Sequence, residues 1–230
     1  MVMRFSQPSF LKPLASAWLL FLVAMSAFSF LNIDFTLTDY VYRLQGNTWA
    51  WKDALITQDV VHKGGKWLSL TMGLVTLLLL ILSTSINRLK DYRTPLLYLF
   101  SAALLSTLLV AMIKHLVSME CPWDLVRYGG ARDFIGLLTM RPASMPASAC
   151  FPAGHASAGY TWMALYFFFA SVRPHWRWAG LALGLGLGLT FGITQQVRGA
   201  HFLSHDLWTI MICWSVSFVL SRILLTPRVH

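Results

Sequence analysis

The segment WLSLTMGLVTLLLLILSTSI, residues 67–86, decides the class of fold. It contains no charged side chain. A helix of about 20 apolar residues is long enough to cross the hydrocarbon core of a bilayer, which is about 30 Å thick. The segment is therefore predicted to be a transmembrane helix.

Stretches of similar length and hydrophobicity recur along the chain. Six spans are predicted, at about 14–31, 67–86, 96–117, 156–172, 178–197 and 202–225. The composition agrees, since 57% of the 230 residues are hydrophobic and only 12% are charged, against about a quarter charged in soluble domains. Residues 1–230 are therefore expected to form one all-α domain, a polytopic six-helix bundle. No small-x-small cleavage site follows the first stretch, so we expect it to be retained as a helix.

The acidic residues and one short loop predict which helix ends face the cytoplasm. Six spans place both termini on the same side, and that side receives a single acid, Asp91, whereas the opposite side receives the other eight. The compact loop 88–93 has the positive character of cytoplasmic loops. We therefore expect cytoplasmic termini. The positive residues assigned to this side are Arg4, Lys12, Arg88, Lys90, Arg93, Arg173, Arg177, Arg222 and Arg228.

Residues 32–66 form a long connection on the predicted periplasmic side. They mix apolar and charged residues and include Trp49 and Trp51, and Trp67 follows directly. This composition is typical of an interfacial segment with an aromatic belt, which could cover a lipid-facing entrance. A simple connecting loop with anchoring tryptophans fits the same residues.

Glycines recur every four residues in the fifth predicted helix, at Gly180, Gly184, Gly188 and Gly192. This spacing keeps all four on one face, where the backbone of a neighbouring helix can approach closely. The fifth helix is therefore predicted to lie inside the bundle.

Polar residues gather at helix ends on the predicted periplasmic side. The third span ends in Lys114-His115, the fourth begins after 152–155, Pro-Ala-Gly-His, and a polar stretch at 195–206 joins the fifth and sixth. Ionisable residues at membrane depth are costly and indicate function. In Pro-Ala-Gly-His, free N–H groups at the helix start attract an anion, and the histidine can donate a proton.

Taken together, these segments resemble the type-2 phosphatidic acid phosphatase superfamily, whose pattern is K-x6-R-P, then P-S-G-H, then S-R-x5-H-x3-D. Lys114 and Cys121-Pro122 match the first motif with cysteine in place of arginine, and 152–155 matches the second with alanine in place of serine. In the third motif His201 takes the histidine position. Thr194-Gln195 stand where Ser-Arg would be, and His205 stands where the aspartate would be, one residue before Asp206.

The resemblance implies a lipid phosphatase that uses neither a metal nor another cofactor. His201 would attack phosphorus and form a phosphohistidine, while Asp206 would orient its ring. His155 would protonate the leaving oxygen and then activate water. Lys114 and the Gly154 backbone would neutralise the phosphoryl oxygens.

The departures from the family pattern leave some roles open. A phosphoryl site normally contains a guanidinium, and Arg198 is the best substitute by position. Arg127, Arg132 or Arg141 could also fold back from the loop between the third and fourth spans. Asp206 lies about 140° around a regular helix from His201, since it is five residues away. His205 is therefore the alternative support for the nucleophile, or a contact for phosphate.

Other hypotheses fit parts of the sequence. His201 and His205 have the spacing of helical zinc ligands, with Cys121, Cys150 and His155 as further candidates, but the His-Glu-x-x-His glutamate is absent. A transporter should show repeats or paired broken helices, which are not evident. A lipid phosphotransferase would use the same residues as a phosphatase, and a catalytically inactive lipid-binding relative would keep the fold. Cys121 and Cys150 are expected either to form a disulfide over the site or to remain free thiols.

The expected partners are a lipid phosphate and the bilayer of a bacterial inner membrane, with the active site on the periplasmic side. No nucleic-acid partner is expected, because the net charge of +9 forms no compact basic cluster, and no obligate protein partner is evident. Undecaprenyl diphosphate, phosphatidylglycerol phosphate and lipid A phosphate all suit such a site. His62, His175 and His230 are interpreted as surface or interfacial residues.

Overall fold

The computed structural model describes residues 11–137, 139–142 and 145–225, and the regular elements within these ranges are helices. The predicted all-α class is confirmed. Arg4, Arg228 and His230 lie outside the described residues.

The helices follow one another with short connections, apart from the long segment between α4 and α5. The α-helices are α1 (Leu11–Phe30), α2 (Ile33–Leu44), α3 (Gly64–Leu82), α4 (Arg93–Leu116), α5 (Gly154–Tyr160), α6 (Leu165–Val172), α7 (Arg177–Val197) and α8 (Leu203–Leu224). A π-helical segment, Leu55–Lys63, runs directly into α3. Short 3-10 segments lie at Asn87–Tyr92, Pro122–Asp124, Val126–Tyr128, Thr161–Ala164 and Pro174–Trp176.

Five helical runs among the described residues are long and apolar enough to cross a membrane. They are Leu11–Phe30, Leu55–Leu82, Asn87–Leu116, Pro174–Val197 and Leu203–Leu224. The predicted fourth span, 156–172, is helical along its length, as α5, a 3-10 turn and α6, but it is not among these five runs. The structure therefore supports a multi-pass membrane protein, whereas the count of six spans is not confirmed.

The four regularly spaced glycines of α7 lie against its neighbours, as their spacing predicts. All four are buried. A Cβ on Gly180 would lie 2.8 Å from the carbonyl oxygen of Leu165, and Cβ atoms on Gly184 and Gly188 would overlap the Met163 backbone and the Tyr160 ring. Close backbone packing of this kind holds α7 beside the α5–α6 run. The C-terminal end of α7 is thereby fixed near the start of α5.

Hydrogen bonds across the bundle tie the other long helices to this centre. Tyr98 of α4 donates to the carbonyl oxygen of Ser217 in α8, at 3.1 Å. Trp162 donates to Ser69 of α3 at 3.0 Å, and Trp18 of α1 donates to Ser215 at 3.1 Å. Because consecutive long helices run in opposite directions, the end of α4, the start of α5, the end of α7 and the start of α8 share one end of the bundle.

The connection between α1 and α3 is structured and packs onto that same end. Phe35, Tyr42 and Trp49 surround a buried cluster of Leu125, Tyr128 and Phe202. The Asp34 carboxylate accepts a hydrogen bond from the backbone N–H of Ser204 at 2.9 Å. The segment is therefore more than a simple connecting loop.

Candidate active site

A cavity of about 430 Å³ opens where these helix ends meet. Its wall includes Lys114 from α4, His155 from α5, Arg198 after α7 and His201 before α8. These are the residues that the sequence analysis assigned to nucleophilic attack, proton transfer and phosphate binding. None of the described residues that line the cavity is an aspartate or glutamate. A wall of basic and neutral groups without a carboxylate is complementary to an anion.

His201 lies in the short link between α7 and α8 and is almost fully buried, with 6% of its surface exposed. Its Nδ1 atom lies 3.3 Å from Nδ1 of His205. Burial, and then the neighbouring His205 and Lys114, lower the pKa of His201 well below that of a free imidazole. The ring is therefore neutral near pH 7 and keeps a lone pair for nucleophilic attack.

The link that carries His201 is shaped by Gly199, whose φ of 73° lies in the left-handed region. Its carbonyl oxygen accepts a hydrogen bond from the Trp123 backbone at 2.9 Å. A Cβ on Gly199 would also lie 2.6 Å from the Trp49 ring. Glycine is thus required both for the backbone conformation and for the close contact, and together these place His201 at the cavity.

Lys114 lines the cavity and lies beside Gly154. A Cβ on Gly154 would lie 3.4 Å from Nζ of Lys114, which is ordinary van der Waals contact. His155 follows directly, and its ring packs against Phe191 with a centroid distance of 5.2 Å. Nε2 of His155 is buried and has no hydrogen-bond partner among the described residues. This nitrogen is therefore available to a ligand in the cavity.

Arg198 supplies the guanidinium that the sequence analysis required. Its Nε donates to the carbonyl oxygen of Lys52 at 2.6 Å, and its Nη1 donates to Oε1 of Gln195 at 3.1 Å. Nε2 of Gln195 is buried and has no partner among the described residues. These bonds fix the guanidinium in the wall and leave the Gln195 amide as a further donor for a ligand.

Comparison with protein families gives a match, and it spans most of the residues around this cavity. Residues 95–228 match the model of the PAP2 superfamily. The match covers more than half of the chain and contains every site residue described so far apart from Lys52 and Trp49. The chain belongs to the PAP2 superfamily. Comparison with curated proteins and with solved structures gives no match.

Membership of the PAP2 superfamily, that of the type-2 phosphatidic acid phosphatases, establishes the general class of activity. Its members are phosphatases, so this protein is in general terms a phosphoric ester hydrolase with a phosphatase-type function. Together with the apolar helices, the family makes it a multi-pass membrane protein.

His205, and not Asp206, is the neighbour of His201. The Asp206 carboxylate accepts a hydrogen bond from Gln196 and fills the space left by Gly192 on α7. Neither residue is among those that line the cavity, but Nδ1 of His205 lies 3.3 Å from Nδ1 of His201. The prediction that Asp206 orients His201 is therefore corrected.

The predicted phosphate contact by Arg127 is also corrected. Arg127 forms a bidentate ion pair with Asp39 of α2, at 2.8 and 2.6 Å, and it does not line the cavity. The Asp39 pair holds the pKa of Arg127 above its usual value. Arg141 is likewise engaged outside the cavity, by Glu120 at 2.5 Å. Among the described arginines only Arg198 reaches the PAP2 site.

The cysteine that replaces the first PAP2 arginine forms a disulfide. Cys121 and Cys150 are bonded, with their Cα atoms 5.2 Å apart, and both line the cavity. The one group of potential metal ligands found among the described residues is Cys121, Asp124 and Cys150, and the disulfide removes both of its thiolates. His201 and His205 belong to no such group of three in the described chain.

Two side chains of the cavity were missed by the sequence analysis. Gln58 and His62 reach it from the π-helical segment before α3, although His62 was interpreted as a surface or interfacial residue. The available signal was weak: His62 lies just before the apolar run 67–86, and therefore at the same membrane face as the other site residues. His175, by contrast, is exposed near the opposite end of the bundle.

Proposed function

We propose that the protein removes phosphate from a lipid phosphate or diphosphate in a bacterial inner membrane, at the periplasmic face. The observation that carries the proposal is the convergence of Lys114, His155, Arg198 and His201 on one cavity, whose lining has no carboxylate among the described residues. The excess of acids on this side of the predicted topology, and the compact basic loop on the other, support the periplasmic assignment.

The first step transfers the phosphoryl group to the protein. In the empty cavity burial, and then the neighbouring His62, lower the pKa of His155 to about 4, whereas the negative charge of a bound phosphoryl group raises it, so that His155 takes up a proton when the substrate binds. Nε2 of His201 attacks phosphorus in line, the bond from phosphorus to the leaving oxygen breaks, and protonated His155 donates its proton to that oxygen. The Nδ1–H of His201 donates to Nδ1 of His205, which stabilises the positive charge on the phosphorylated ring. The lipid alcohol, or the lipid monophosphate, leaves.

The second step hydrolyses the phosphohistidine. Neutral His155 removes a proton from water, the water oxygen attacks phosphorus, and the nitrogen–phosphorus bond breaks. Inorganic phosphate leaves, His201 returns to its neutral form, and His155 holds the proton for the next cycle. Lys114 and Arg198 lie where they can neutralise charge on the phosphoryl oxygens in both steps. In other enzymes one such preorganised donor contributes about 10²- to 10³-fold in kcat.

Phosphate release by the purified protein tests the proposal. Wild-type protein in detergent micelles is incubated with undecaprenyl diphosphate, phosphatidylglycerol phosphate and a lipid A phosphate in the presence of a chelator. We expect phosphate release from at least one lipid, loss of release in His201→Ala and His155→Ala, and unchanged release in the exposed-histidine control His175→Ala. Activity that persists in His201→Ala, or that the chelator abolishes, would contradict the mechanism.

A further inference from the structure

The π-helical segment Leu55–Lys63 contributes to the cavity although it lies outside the residues that match the PAP2 family. A π-helix is rare, and the single-turn π-bulges in which it mostly occurs are frequent at functional sites. Gly65, at the start of α3, brings this segment close to α7, since a Cβ there would lie 2.5 Å from the Phe191 ring. The same Phe191 ring packs on His155. The segment is thereby held directly beside the proposed proton donor.

His62 is the residue that this packing places next to His155. The two rings meet edge to face with a centroid distance of 4.4 Å. Nδ1 of His62 lies 3.2 Å from Oε1 of Gln58, one turn earlier in the same segment. An amide oxygen only accepts hydrogen bonds, so Nδ1 carries the hydrogen of this bond. Nε2 makes no hydrogen bond among the described residues and is the nitrogen left for a ligand.

The cavity has fewer cationic hydrogen-bond donors than the family pattern provides, and His62 can supply one. The first PAP2 arginine is replaced by Cys121, whose sulfur is held in a disulfide, and the second is replaced by the neutral Gln195. Arg198 restores one guanidinium, which leaves fewer cationic donors than the family pattern provides. An imidazole that gains a proton at Nε2 when a phosphate dianion binds donates both of its N–H groups, one to Gln58 and one to the anion.

We propose that His62 is a further substrate-binding residue, whose Nε2–H donates a hydrogen bond to an oxygen of the phosphoryl group while Gln58 fixes the ring. The inference rests on the proposed function of the cavity as a phosphoryl site. It makes the segment before α3 part of the active site.

The test is the binding of orthovanadate, a phosphate analogue, to the full-length protein in detergent micelles. Affinities are measured by titration calorimetry for the wild type, His62→Ala, His62→Gln and Gln58→Ala, with His175→Ala as the matched control. We expect His62→Ala to weaken binding by about 10- to 100-fold, the range for a lost hydrogen bond to a charged group. His62→Gln should recover part of this loss because its amide can donate, and His175→Ala should bind as the wild type does.

Binding by His62→Ala equal to the wild type would overturn the inference, and so would the absence of vanadate binding by the wild type. Circular dichroism and elution show whether His62→Ala folds. If it does not, the comparison uses His62→Gln and Gln58→Ala, and the inference then requires that Gln58→Ala weaken vanadate binding. Phosphate release is measured in parallel. If vanadate binding depends on His62 but no lipid is hydrolysed, the proposed phosphatase function is contradicted and the role of His62 stands. Lipid hydrolysis that His62→Ala leaves unchanged would contradict the role of His62 and leave the proposed phosphatase function standing.

Discussion

His205 and Asp206 are adjacent in the chain, but only His205 is expected to contribute to catalysis. Substituting each residue in turn distinguishes their roles. His205 is fully buried, and its Nδ1 lies 3.3 Å from Nδ1 of His201. His205→Leu removes the acceptor for the Nδ1–H of His201 at the moment when that ring becomes positive. Asp206→Asn keeps the shape of a side chain whose hydrogen-bond partner is Gln196.

The size of the effect follows from the kind of hydrogen bond that is lost. A hydrogen bond to a charged group contributes about 1.5–3 kcal/mol, which corresponds to roughly 10- to 150-fold in rate. We expect kcat of His205→Leu to fall by this factor, with a smaller change in KM because the positive charge develops only after attack. His205→Asn, whose amide oxygen can take the place of Nδ1, should recover about half of the loss in free energy. Asp206→Asn should change kcat by less than about threefold.

The assay is phosphate release under saturating lipid phosphate by the four proteins, each first shown to elute and melt as a folded species. A loss in Asp206→Asn as large as that in His205→Leu would refute the assignment of the supporting role to His205. It would mean that the carboxylate reaches His201 during catalysis.

Three further predictions concern stability and the environment of the site. Gly188→Val should lower the free energy of unfolding by about 3 kcal/mol or more, because its Cβ would overlap the Tyr160 ring. Thermal melting in micelles measures this change, and a melting temperature equal to that of the wild type would show that α7 packs elsewhere. Reduction of the Cys121–Cys150 disulfide, which closes a loop over the cavity, should lower the melting temperature by an amount equivalent to about 2–4 kcal/mol, and Cys121→Ser/Cys150→Ser should then be insensitive to reductant. The folded state lowers the pKa of His201 below its usual value near 6.5, so the unfolded chain binds a proton more readily, and the free energy of unfolding should fall as the pH drops below about 6.5. We expect a smaller fall in His201→Gln. A fall equal to that of the wild type would assign the effect to other groups.

The helical class and the site motifs could be read from the sequence because they depend on local patterns. Apolar runs of membrane length identified most spans, and the glycine spacing of α7 identified a packed face. The fourth span illustrates a limit, since hydropathy does not distinguish one helix from two that are joined by the 3-10 turn Thr161–Ala164.

The directions of side chains and the contacts between distant segments could not be predicted from the sequence. The one-residue difference between His205 and Asp206 decides which of them faces His201, and this depends on where α8 begins. Arg127 was available to the cavity by its position in the loop, and only the ion pair with Asp39, 88 residues earlier, shows that it is engaged elsewhere. His62 reaches the cavity because Gly65 and Phe191 pack together, a contact between distant segments that leaves no local signal.

The most direct measurement of the central claim is the capture of the covalent intermediate. Protein is mixed with a lipid phosphate labelled with ³²P, quenched in alkali, where phosphohistidine persists, and digested for mass mapping. Label on His201, its absence in His201→Ala and its accumulation in His155→Ala at a pH where transfer still proceeds are the predicted results. Phosphate released at the normal rate with no label on any histidine, or with label on another residue, would contradict the account.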